Sequence, residues 1–226
     1  MTTDQNSPIK REVVMKGVAA APGIAIGHAY LFKKVIPVVE AWTLGDDGIG
    51  QELERLDRAV AKSEKELNKI LAFAQQKIGD AKARIFEAQI MVLQDQVLLD
   101  AIRKRIQAEK KNAEYIVNDE IGKYAKLMLA AHDDYMHERA HDVEDLKNRI
   151  VRNLQQEKLF SRLDESAVIV AHNLTPADTM ILSRNNVLGY ATDMGGVTSH
   201  AALLSRALKI PAAVGLGEAS RSVVTE

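Results

Sequence analysis

Gly195-Gly196-Val197-Thr198-Ser199-His200-Ala201-Ala202-Leu203-Leu204-Ser205-Arg206 follows a short apolar run and passes into a helix-like one. The order strand, glycine turn, helix is the repeating step of an α/β fold, and it sets His200 at or near a helix N-terminus. Free backbone N–H groups and the positive end of the helix dipole disfavour an imidazolium there. They keep a ring nitrogen lone pair available, and they favour a phosphate dianion once one is attached. Gly195 and Gly196 let other groups approach closely, while Thr198 and Ser199 can cap the helix or donate to phosphate oxygens. Spacing alone equally supports a histidine that only caps a helix beside a glycine turn.

The same alternation extends outward. Apolar runs at 168–171, 187–190 and 212–214, separated by Asn, Gly and Pro, read as buried strands. Thr175-Pro176 and Thr198-Ser199 read as helix starts. Residues 13–39, rich in Val, Ile, Ala and Gly and punctuated at Ala21-Pro22-Gly23, read as short strands and a tight turn. Between these blocks, residues 49–160 lack proline and place apolar residues at steps of three and four, the period of amphipathic helices. Breaks near Gly79-Asp80, Lys110-Asn112 and His132-Asp134 divide this block into four helices, two antiparallel pairs. In the last, Val143, Leu146, Ile150 and Leu154 form the apolar stripe, with Glu144, Lys147, Arg149 and Arg152 expected in water. In the third, Ile116, Val117, Ile121, Tyr124 and Met128 form the stripe. The fold expected is α/β plus an all-α insert.

Composition narrows the function classes. Thirty Lys and Arg against 31 Asp and Glu in 226 residues leave no net field to attract nucleic acid or an anionic membrane. The absence of cysteine removes disulfides, thiolate metal sites and cysteine nucleophiles, and fits a reducing compartment. No secretory signal or membrane-spanning run is legible, so a cytoplasmic location is expected.

GGVTSHAALLSR resembles the phosphohistidine signature of the phosphoenolpyruvate-utilising enzymes. GVAAAPGIAIGHAYLF, at 17–32, resembles the opening strands of Enzyme I of the bacterial sugar phosphotransferase system. DDYMHERAHDVEDLKNRI, at 133–150, resembles that family's last long helix before its phosphohistidine domain. The similarity runs in the family's order from about residue 17 to about 217. It implies a swivelling β/α phosphohistidine domain built from residues 1–43 and 159–226, with an inserted HPr-binding domain of four helices, two hairpins, at 44–158.

By that resemblance, His200 takes a phosphoryl group derived from phosphoenolpyruvate through Nε2 and passes it to a histidine of the phosphocarrier HPr. Thr179, in LTPADT, matches a threonine whose hydroxyl steadies the imidazole. Gly195, Gly196, Thr198, Ser199 and Arg206 make up the phosphate-site neighbourhood, with Asp193 close by. HPr docking falls on Lys82, Phe86, Ile90, Met91 and Arg139, and Gln89 stands where some relatives carry histidine. Phosphoenolpyruvate and Mg2+ belong, in the family, to a C-terminal barrel that also dimerises. A monomeric part with no cofactor or metal of its own is therefore expected here, able to exchange phosphate with HPr but not to be charged by phosphoenolpyruvate alone.

Plainer readings stand beside several of these. Thr179 can bond its own helix, Arg206 can be a surface charge or salt-bridge partner, Asp193 a turn residue, and Phe86, Ile90 and Met91 bundle core. A related dikinase or synthase, with its partner site on the same chain, shares the signature but not the helical insert. A second class of function rests on His137-Glu138-Arg139-Ala140-His141, which satisfies the H-E-x-x-H pattern of zinc hydrolases. Against it, Arg139 and Asp142 fall where such a helix packs into the protein, a costly place for charge. His28, His132 and His172 suggest no partner.

Overall fold

The computed structural model describes residues 12–34, 36–131, 134–156 and 165–223, without the side chains of Asp134, Tyr135, His137 and Glu138. Its strands are β1 Val18–Ala21, β2 His28–Phe32, β3 Ala167–Ala171, β4 Val187–Thr192 and β5 Ala212–Val214. They form one sheet in the order β1-β5-β4-β3-β2, antiparallel at β1–β5 and parallel elsewhere. The helices are α1 Ile49–Ile78, α2 Asp80–Leu93, α3 Gln96–Glu109, α4 Ala113–Leu129, α5 Asp134–Leu154, α6 Pro176–Leu182, α7 His200–Leu208 and α8 Ala219–Ser222. An α/β sheet with a helical block between β2 and β3 is therefore present, as the periodicity implied.

Among the described residues, the helical block holds five helices rather than four. The extra break is at Asp95, whose carboxylate accepts from the Val97 and Leu98 amides and starts α3. An N-cap followed at once by apolar residues leaves the three-and-four pattern intact across the break, so periodicity alone reads α2 and α3 as one helix. The start of α4 is capped from elsewhere. Asn112 precedes it but turns its buried side chain toward the connecting segment, accepting from the Trp42 amide and donating to the Glu40 carbonyl. The free Ala113 amide donates instead to Glu52 of α1, which is itself paired with Arg55.

α1 runs through two cores. Its buried positions, Glu52, Leu56, Ala59, Ser63, Leu67, Ile70 and Ala74, recur at steps of three and four along 30 residues. Leu56 and Leu67 pack with Ile102, Ile116, Leu146 and Ile150 in the bundle core. Ile70 and Ala74 pack with Ala83 and Phe86 of α2 and with Ala177, Met180 and Leu204 of α6 and α7. The opposite faces of α6 and α7, with Leu182, Ala201 and Ala202, cover the sheet over Ile169, Tyr190 and Val214. Two sheet-covering helices thus lie between the strands and α1, which fixes the helical block against them.

Two surface assignments need correction. Tyr124 is exposed and Ala125 takes its place in the core, because the stripe of α4 rotates as a 3.6-residue helix departs from a 3.5-residue pattern. Arg149 does not stay in water. It is buried, with Nη1 3.0 Å from Glu66 Oε2. Nearby, Lys34, just past β2, reaches Asp145 of α5 at 2.8 Å and Asp178 of α6 at 3.9 Å. Burial works against ionisation of Asp145, but Lys34 and Arg149 outweigh it and hold its carboxyl below the ordinary value. Burial and the neighbouring Asp145 push Asp178 the other way. This polar cluster joins three segments far apart in sequence.

Candidate functional site

β3 and β4 run parallel and side by side, and each delivers a loop at its carboxyl end, where ligands collect in α/β sheets. The loop after β3 leads into α6. Its start is a capping box: the Thr175 hydroxyl accepts from the Asp178 amide, the Asp178 carboxylate accepts from the Thr175 amide, and Pro176 occupies the first turn. The loop after β4 carries the glycines. Gly195 has φ +111°, and a Cβ there would meet Ser199 Oγ at 3.3 Å, so the turn requires glycine. The Ser199 amide and hydroxyl both donate to the Gly196 carbonyl, and its Oγ accepts from the Ala202 amide. Of the two roles open to Ser199, the structure shows the cap.

His200 is the first residue of α7, with its side chain about a quarter exposed, at 28%. It stands between two cavities. One, of about 90 Å³, is bounded by His141 and Asp142 of α5, by Asn173 and Thr175, and by Ser199. The other, of about 370 Å³, is bounded by Lys82, Arg84 and Ile85 of α2, Arg139 of α5, and Leu203. A histidine at a helix start, opening toward three cations supplied by other helices, suits a group that gains negative charge.

The remaining expected residues divide. Thr179 is fully buried on α6 and donates its hydroxyl proton to the Thr175 carbonyl at 3.0 Å, the plainer of its two readings. A proton spent there leaves the oxygen able only to accept. Arg206 donates to the Ala20 carbonyl at 2.9 Å and the Val197 carbonyl at 2.6 Å, so it fastens the glycine loop to β1. Gly196 faces open space. Phe86 and Ile90 are core, not docking surface, whereas Lys82 and Met91 are exposed and Arg139 partly so. Gln89 is buried too.

Asp193 is no mere turn residue, and His172 has a partner. The buried Asp193 carboxylate accepts from the Ser220 amide at 2.9 Å and from the Ser220 hydroxyl, and pairs with His172 Nδ1 at 3.1 Å. Burial opposes its ionisation, but the bonds from Ser220 and His172 prevail and keep its acid strength above that of a free carboxyl. A carboxyl depressed in the folded state contributes stability that is full above its unfolded value. That stability is lost as pH falls through the folded one. Asp193→Asn should therefore lower urea stability at pH 7, with the difference from the parent shrinking as pH falls from about 5 to 2. A pH-independent difference would contradict this.

Asp142 and Arg84 were not picked out as site residues by sequence, and His141 only as part of the zinc pattern. Asp142 was counted as a charge out of place, yet it is buried and tolerated through Arg139, whose Nη1 lies 3.5 Å from its Oδ2. The Arg-x-x-Asp spacing on one helix face was the available signal. The H-E-x-x-H stretch lies on α5, but the side chains of His137 and Glu138 fall outside the described residues. Among the described residues, no group of three His, Asp or Glu is placed to hold a metal ion, and no helix is long and apolar enough to cross a membrane.

Residues 16–139 match the family model "PEP-utilising enzyme, N-terminal", and residues 163–226 match "PEP-utilising enzyme, mobile domain". A phosphoenolpyruvate-protein phosphotransferase of Geobacillus stearothermophilus is 41% identical over 91% of this chain and 36% of its own length. One from Haemophilus influenzae is 33% identical over 94% of this chain and 37% of its own. The chain thus spans little more than a third of these relatives. A solution structure of Enzyme I (nEIt) superposes with TM-score 0.76 at 39% identity, covering 93% of this chain and 86% of that one. The N-terminal domain of "Enzyme 1 - Nitrogen" does so with TM-score 0.65 at 25% identity, covering 89% and 83%.

Proposed function

Since the chain belongs to the phosphoenolpyruvate-utilising enzymes, as the Enzyme I N-terminal part of that family, we propose that His200 is a phosphoryl relay. It accepts a group originating from phosphoenolpyruvate and passes it to a histidine of HPr. The observation that carries this reading is the placement of His200 at the N-terminus of α7, opening into the cavity shared by Lys82, Arg84 and Arg139. The helix start keeps the unloaded ring neutral and nucleophilic, and the three cations offset the charge of the loaded one. Transfer is in line between two nitrogens, so catalysis consists of holding donor and acceptor in register and stabilising a loose transition state.

In this reading residues 1–43 and 159–226 form the phosphohistidine domain, able to swivel in the longer proteins, and residues 44–158 form the HPr-binding domain. Lys82, Met91 and Arg139 are the docking side chains. Phe86 and Ile90 serve docking only by fixing α2 against α1. Thr179 supports the imidazole as an acceptor, or after rotating its hydroxyl away from Thr175. Phosphoenolpyruvate and Mg2+ are assigned to the part of the relatives outside the match.

The test is exchange. Mixed with phosphorylated HPr, the protein should show a new phosphohistidine phosphorus resonance on its own chain, and the reverse mixture should return phosphate to HPr. A chain that stays unlabelled overturns the reading.

A further inference from the structure

The larger cavity beside His200 has walls of two kinds. Ile85 of α2 and Leu203 and Leu204 of α7 are apolar, while Lys82 and Arg84 of α2 and Arg139 of α5 are cationic. The cations are not equivalent. Arg139 has its Nη1 3.5 Å from a carboxylate on its own helix. Arg206 of α7 is committed to the Ala20 and Val197 carbonyls. Arg84 is exposed, and among the described residues it makes no hydrogen bond, ion pair or ring contact. Acids are close to it in sequence. Asp80 stands four residues before it and Glu87 three after it, the spacings at which helix surfaces form ion pairs. Arg84 pairs with neither, and its guanidinium is left at the edge of the cavity that His200 also borders.

Phosphoryl transfer gives such a group a use. As a ring nitrogen of His200 bonds to phosphorus, the bond from phosphorus to the donor nitrogen breaks, and its electron pair stays with the donor. In the loose transition state the charge lies on three equatorial oxygens, which point away from the line between donor and acceptor. A cation in the cavity wall is placed to meet them. Lys82 offers a point charge on a flexible stem, whereas a guanidinium is a planar fork that can donate two parallel hydrogen bonds to two oxygens of one phosphoryl group. The apolar walls lower the local dielectric and strengthen that contact.

We propose that Arg84 is a catalytic residue of the transfer: its guanidinium donates to two equatorial oxygens of the phosphoryl group as it passes between the partner and His200. The proposal rests on His200 being the phosphorylated residue. It separates Arg84 from Lys82 and Arg139, which serve docking.

Two donors test it on the whole chain, with phosphate on His200 mapped by mass. Phosphorylated HPr needs a docking surface; phosphoramidate, which releases ammonia as its phosphorus–nitrogen bond breaks, needs none. In single turnovers with phosphorylated HPr, Arg84→Gln should lower the maximal rate about a hundredfold, the usual effect of removing one donor to a transition state. Its half-saturating concentration should stay within about twofold of the parent's. With phosphoramidate the same variant should load His200 at least about tenfold more slowly. Arg84→Lys, which keeps the charge and loses the fork, should recover only part of either rate. The side chain is exposed, so both variants should melt with the parent. A raised half-saturating concentration at an unchanged maximal rate, with parental loading by phosphoramidate, overturns the proposal and makes Arg84 a docking residue. A fully active Arg84→Lys overturns the two-bond contact. If the parent itself never carries phosphate on His200, the relay reading fails; a labelled parent matched by its Arg84 variants sinks the proposal alone.

Discussion

His200→Ala should take up no phosphate from phosphorylated HPr, a loss of at least about a thousandfold in transfer rate, while its melting temperature stays close to that of the parent. The two outcomes follow from one placement. The imidazole is partly exposed at the first position of α7, where the helix is already capped by Ser199, so its removal opens no core cavity. The reacting nitrogen, however, has no substitute on α7, and loss of a nucleophile abolishes covalent transfer rather than weakening it. His141 fronts the smaller cavity next to His200 and is the control. His141→Ala should keep its phosphate acceptance. Phosphate on His200→Ala would show that another histidine is the acceptor, and acid-labile label mapped by mass would identify it.

Lys34→Met should cost about 3–5 kcal/mol of folding stability, the penalty for leaving a buried carboxylate without its countercharge. Lys34 is the cation within reach of both Asp145 and Asp178, and burial alone would favour the neutral forms of both acids. Without it, the two carboxyls face each other with Arg149 and Arg152 as more distant cations. Urea denaturation at pH 7 reads the loss. In the parent, the depressed acid of Asp145 contributes stability present above its unfolded value and lost as pH falls through the folded one. The gap between parent and variant should therefore narrow below about pH 4, where protonation relieves the variant. Lys34→Met combined with Asp145→Leu should recover most of the stability. A double variant as weak as the single one would assign the effect to packing of the lysine stem.

What the sequence made legible follows from what repeats in it. β3, β4 and β5 are short apolar runs between turn residues, and α6 and α7 begin at Thr-Pro and Ser-His, so pattern and cap chemistry located them. α3 was merged with α2 because Asp95 interrupts the backbone and not the apolar period. His200 was legible as a helix-start histidine, and resemblance raised it to a phosphate carrier. The cations and the carboxylate around it were less so. Arg84, Asp142 and Arg139 meet His200 only because α1 gathers α2, α6 and α7 through Phe86, Met180 and Leu204 and α5 through Leu146 and Ile150. Phe86 and Ile90 illustrate the converse error: an apolar residue on α2 reads the same whether it faces a partner or the bundle. Arg149 was placed in water because its type suggests it, and its burial is explained by Glu66, 83 positions earlier, together with Asp145.

The strand order carries a consequence for how the chain reaches its fold. β1 and β2, adjacent in sequence, occupy opposite edges of the sheet, with β3, β4 and β5 between them. Neither can pair until the later strands exist, and roughly 130 residues, the helical block among them, intervene between β2 and β3. At ribosomal speeds this is a wait on the order of ten seconds, long compared with the formation of any helix. The bundle can thus collapse first around α1. The opening strands meanwhile remain as unpaired ribbons, β2 until β3 leaves the ribosome and β1 until β5 does. Synthesis is the interval in which they are open to capture by a chaperone or by another nascent chain.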